Sequence, residues 1–98
     1  MIYVDNAATT MLEPKVLEDM MPYLTENYGN ASSIYTIGQK AKEAVNKARA
    51  DVAKCLGANE REIFFTSGGS EADNWAIKGV ADALKSKGNH IITSAVEH

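Results

Sequence analysis

Apolar positions recur at a helical period in three stretches of the chain. After Pro14, residues Val16, Leu17, Met20, Met21 and Leu24 fall at spacings of one, three, one and three. The spacing predicts a helix with Pro14 in its first turn, which Pro22 should kink or shorten. Ile34, Ile37, Ala41, Ala44, Ala48, Val52 and Cys55 then step by three or four, while Lys40, Lys42, Glu43, Lys47, Arg49 and Asp51 take the other face. This predicts the longest helix, ending at Leu56, with Ser32 or Ser33 as its cap and Gly57 as a left-handed C-cap. A third helix is predicted from Glu71 to about Lys85, with Trp75, Ile77, Val80, Ala81 and Leu84 as its apolar positions.

Other apolar runs do not alternate. Ile2-Tyr3-Val4, Glu62-Ile63-Phe64-Phe65-Thr66 and His90-Ile91-Ile92-Thr93-Ser94 are short and β-prone, and the last two read as buried parallel strands. With the turn Ser67-Gly68-Gly69-Ser70 and the third helix between them, the second half reads as strand, glycine turn, helix, strand. The fold class expected is therefore α/β, a βαβ unit of a mostly parallel sheet preceded by a long helix. Two parallel strands make a poor core, so the segment is expected to be a portion of a larger sheet. The expected organisation is an N-terminal segment over 1–13 and an incomplete α/β domain over 14–98.

Composition narrows the function classes. Of 98 residues, 45% are hydrophobic and 23% charged, which excludes disorder across the chain. Ten basic residues against thirteen acidic ones give a net charge of −3, which argues against a nucleic-acid partner. No apolar run is long enough to cross a bilayer, and Met1-Ile2-Tyr3-Val4-Asp5 carries no basic leader, so no membrane association and a cytoplasmic location are expected. The single cysteine, Cys55, excludes an internal disulfide and lies on the apolar stripe of the long helix, where a buried structural thiol is expected.

The strongest chemical signal is Thr66-Ser67-Gly68-Gly69-Ser70-Glu71. Two glycines allow close backbone approach, the first amides of the following helix point outward, and the Ser70 hydroxyl adds a donor, so the turn suits an anion such as a phosphate. The pattern matches neither the P-loop nor the dinucleotide fingerprint. A capping box with Ser70 as N-cap and Asp73 three residues on explains the same residues without a ligand. His98 follows the C-terminal end of the last β-prone run, the edge at which open α/β sheets bind ligands, and is either a proton-transfer group or an ordinary surface histidine. His90 is expected to be structural, Asp5 and Asn6 to shape a loop, and Trp75 to pack rather than bind.

In order and spacing, four motifs resemble the cysteine desulfurases: Tyr3-Val4-Asp5-Asn6-Ala7-Ala8-Thr9-Thr10, Gly29-Asn30-Ala31-Ser32-Ser33, Phe65 through Asn74, and Ile91-Ile92-Thr93-Ser94 with Glu97-His98. The resemblance covers the whole chain, as the N-terminal part of a family member. It implies a fold-type I transferase dependent on pyridoxal 5'-phosphate, which takes sulfur from L-cysteine, leaves alanine and passes the sulfur through an enzyme persulfide to an acceptor or scaffold protein. It implies that Gly69 and Ser70 hold the cofactor phosphate, that His98 stacks on the cofactor ring and moves protons, and that Asn6 lies near the substrate. It also implies a homodimer. Tyr35 and Ala31 depart from common family residues. No lysine here follows a histidine as the family's cofactor-linking lysine does, and Cys55 does not match the persulfide cysteine, so the 98 residues alone are expected to be inactive. The competing expectations are a related enzyme of the same fold type, such as a selenocysteine lyase or aminotransferase-like protein, and a non-catalytic segment.

Overall fold

The computed structural model describes residues 1–97. The chain divides into two compact units, the first Met1–Ile63 and the second starting at Phe64. In the first unit, helix α1 spans Pro14–Thr25 and helix α2 Thr36–Leu56, and a single 3₁₀ turn follows at Glu60–Glu62. The second unit is built on helix α3, Gly69–Ala83.

All three predicted helices form, with shifted ends. Pro14 opens α1, and Pro22 lies inside it with only three helical residues after it. The carbonyl of Pro22 accepts the amides of Glu26 at 2.9 Å and Asn27 at 2.7 Å, which closes the helix. Pro22 is thus accommodated inside α1, which ends one turn after it. At the start of α2, neither serine is the cap. Tyr35 holds that position without a side-chain cap bond. The serines belong to the preceding turn, where Asn30 organises them: its side chain accepts from the Ser32 amide at 2.9 Å and its carbonyl from the Ser33 amide at 2.9 Å. The C-terminal end of α2 is as predicted. Gly57 is left-handed, φ 64°, and the Ala58 amide reaches back to the Ala53 carbonyl at 2.9 Å, the six-residue closure of a Schellman motif.

Two glycines fasten the 27–35 loop to α2. A Cβ on Gly38 would sit 2.6 Å from the Asn30 carbonyl oxygen and 2.7 Å from the Ser33 Cβ, and one on Gly29 would strike the Ile37 backbone. Farther along α2, the Arg49 Nε donates to the Ile63 carbonyl at 3.1 Å and holds the chain after the 3₁₀ turn. That turn has its own capping box: the Glu62 carboxylate accepts from the Asn59 amide at 2.6 Å and from its side chain at 3.1 Å.

The two predicted strands are corrected. Among the described residues there is no strand, and 63–68 and 88–94 carry neither helix nor ladder. Glu62, placed at the start of the first strand, instead ends the 3₁₀ turn. A parallel strand satisfies its backbone through neighbours on its edges, and two short strands supply too few. The expected burial of Cys55 is also wrong: the thiol is exposed. The only buried hydrophobic residues among those described are Ala41 and Ala53. The apolar stripe of α1 is little better covered, with Val16, Leu17, Met20 and Met21 43–45% exposed.

Candidate functional site

The turn before α3 holds most of the chemistry. Phe64 and Trp75 meet edge to face, ring centroids 5.0 Å apart, and tie the chain ahead of the turn to the second turn of α3. Trp75 makes this one ring contact and is otherwise half exposed, so it is not the core residue expected. Gly68 is the N-cap of α3 in an extended conformation and offers no capping side chain. Ser70 lies two residues inside the helix, so the expected box of Ser70 and Asp73 does not form. Glu71 supplies the missing restraint. Its Oε2 accepts from the Ser67 amide at 2.7 Å and from the Ser67 hydroxyl at 2.7 Å. The amide bond, then the hydroxyl bond, holds the Glu71 carboxyl below the usual carboxylate range. The Thr66 hydroxyl donates to the Gly68 carbonyl at 3.1 Å, and the Ala72 amide to the same oxygen at 3.2 Å.

These bonds leave a defined set of donors. Among the described residues, the amides of Gly69, Ser70 and Glu71 and the hydroxyl of Ser70 have no partner. A Cβ built on Gly68 or Gly69 meets nothing within 4 Å, so the space beside these glycines is open. Free amides at a helix N-terminus, its dipole and one hydroxyl make a donor set suited to a phosphate.

The remaining candidates are Asn6, His90 and His98. Asn6 belongs to the first unit, in a turn closed by the Ala8 amide on the Asp5 carbonyl at 3.1 Å, with the Tyr3 hydroxyl on the same oxygen at 2.8 Å. His90 lines an apolar groove of the second unit with Ile77, Val80, Leu84 and Ile91. His98 lies outside the described residues. Glu71 was missed as a site residue. Its signal was present as an acid three residues after a glycine N-cap and four after a serine.

A family model described as "Aminotransferase class-V" matches residues 2–98. The chain belongs to the class-V aminotransferase family. Curated relatives at high identity are named cysteine desulfurase IscS. The protein of Clostridium botulinum strain Hall is 62% identical over 97 residues, and that of Methanosarcina thermophila 60%. Each match takes in 99% of this chain and 24% of the relative. The chain therefore spans about a quarter of the length of these relatives. A solved structure titled "NIFS-like protein" superposes with a TM-score of 0.88 at 43% identity, covering 99% of this chain and 27% of that one. The fold of this class-V segment matches that structure in its backbone course.

Proposed function

We propose that the chain is the N-terminal part of a pyridoxal-phosphate-dependent cysteine desulfurase, a fold-type I enzyme that converts L-cysteine to alanine and hands the sulfur to an acceptor or scaffold protein. The observation that carries this reading is identity above 60% to proteins of that name along 97 residues, the turn included. The donor set before α3 fits the cofactor's phosphate: a dianion is matched by the free amides of Gly69 and Ser70, the Ser70 hydroxyl and the helix dipole. When bound, pyridoxal phosphate supplies an electron sink for loss of the substrate's Cα proton.

This chain's own residues have limited tasks. Gly69 and Ser70 bind the phosphate and so fix the cofactor's depth. His98 presents a flat ring to the cofactor, and an imidazole nitrogen carries the proton taken from and returned to the substrate. Asn6 contributes to the substrate side. The 98 residues have no histidine-lysine pair, so they are expected to be inactive alone. In the whole protein, 63–66 and 90–94 become strands of the parallel sheet once neighbours satisfy their backbone. The whole protein is a cytoplasmic homodimer, with α2 and residues 28–33 as interface elements.

The test is made on the full-length protein, supplied with cysteine and a dithiol reductant that releases the persulfide sulfur, and assayed for alanine and sulfide. His98→Phe keeps the ring and loses the titratable nitrogen, so it should bind the cofactor but lose about a hundredfold in turnover. His98→Ala should lose both. A normal rate for His98→Phe eliminates the proton role. Absence of any desulfuration by the parent eliminates the proposed activity.

A further inference from the structure

An acid in the first turn of a phosphate-binding helix poses a physical problem, because its charge opposes the ligand's. Glu71 is such an acid. Its carboxylate is committed to Ser67, through two bonds of 2.7 Å to one oxygen. We propose that Glu71 is a positioning residue for the cofactor phosphate: by clasping Ser67 it fixes the path of residues 66–70, so that Ser70 and the first amides of α3 face the ligand together. The proposal rests on the reading of this turn as the phosphate site.

The need for a clasp follows from the two glycines. Gly68-Gly69 is the dipeptide with the most backbone freedom to lose, and nothing packs where their side chains would be. In an ordinary capping box, the N-cap side chain and the third helical residue hold the start of a helix reciprocally. Gly68 has no side chain to give. Glu71 reaches one residue farther back instead and brackets both glycines between Ser67 and itself. The clasp also takes up the Ser67 hydroxyl, which leaves Ser70 as the hydroxyl without a partner in the turn. Glu71 does this without touching the ligand. Its effect is on the fraction of molecules whose turn is ready to bind, and affinity falls in proportion to that fraction.

The experiment uses the full-length protein, stripped of cofactor and titrated separately with pyridoxal phosphate and with pyridoxal, which lacks the phosphate. Glu71→Ala, and Glu71→Asp with its shorter reach, should weaken pyridoxal phosphate about tenfold and leave pyridoxal within about twofold. Glu71→Gln keeps an acceptor oxygen at the same reach and should stay within about threefold of the parent for both ligands. Equal weakening of both ligands, or a Glu71→Asp variant that matches the parent, overturns the proposal. Ser70→Ala is titrated in parallel. If its preference for pyridoxal phosphate over pyridoxal is unchanged, the phosphate reading itself fails; if Ser70→Ala loses the preference and Glu71→Ala keeps it, only the positioning role fails.

Discussion

Two pairs of glycines in this chain look alike in the sequence and differ in their surroundings. Gly29 and Gly38 stand where loop 27–35 presses on the first turn of α2, and a methyl group at either position would collide with backbone. Gly68 and Gly69 stand where nothing approaches within 4 Å of the same methyl group. In the first region glycine is needed because the protein already fills the space. In the second the space is open, and free amides border it. The first pair is explained by packing against its own chain; the second is left for the proposed phosphate to explain.

The sharpest way to break this contrast is Ser70→Ala in the full-length protein. Losing one hydrogen bond to a charged ligand should weaken cofactor retention by about ten- to a hundredfold with the folding stability intact, read by equilibrium dialysis and a melting curve. An unchanged affinity would make the second region as purely structural as the first. Gly38→Ala should do the reverse. Overpacking against the Asn30 carbonyl and Ser33 should cost about 1–3 kcal/mol in denaturant unfolding, with little change in cofactor affinity among molecules that remain folded. Gly69→Ala is a subtler probe. Alanine suits a helix better than glycine, so stability should hold or rise by up to about 1 kcal/mol, while close approach of a phosphate is hindered. A variant that loses stability would mean that the open space is occupied in the folded protein.

The smallest effect is on acidification. The carboxyl groups of Glu62 and Glu71 are both held below the usual range, each first by a backbone amide and then by a side chain of the same residue, Asn59 and Ser67 respectively. A depressed folded pKa adds stability that is present above the unfolded value and is lost as pH falls through the folded one. Amide exchange at Asn59 and Ser67 should therefore quicken relative to neighbouring residues as pH drops below the ordinary carboxylate range. Equal changes at all neighbours would remove these two clasps from the account.

Helices were the most legible part of the fold, because α1, α2 and α3 each carry a periodic apolar stripe across several turns. Their caps were less so. Ser32 and Ser33 have the right chemistry for an N-cap, yet they lie in the turn built on Asn30, and α2 begins only at Thr36, behind Tyr35. Asn59 and Glu62 had capping-box spacing, but the β-prone residues after Glu62 drew Glu62 itself into the expected strand, one residue too early. Strand pairing could not be read out in this segment, since a ladder depends on partners and not on the strand alone. Of the site, Ser70 and the glycines were visible as a donor cluster. Glu71 was hidden because its role depends on Gly68 being the cap, a boundary that only the backbone defines.

The anchor between Arg49 and the Ile63 carbonyl joins groups only fourteen residues apart in sequence. Loops this short close with little entropic penalty. Helix α2, its Gly57 stop and the 3₁₀ turn therefore complete their mutual contacts without waiting for distant chain. During synthesis this hairpin-like piece can settle as soon as residue 63 is free to fold, because its contacts are local in sequence.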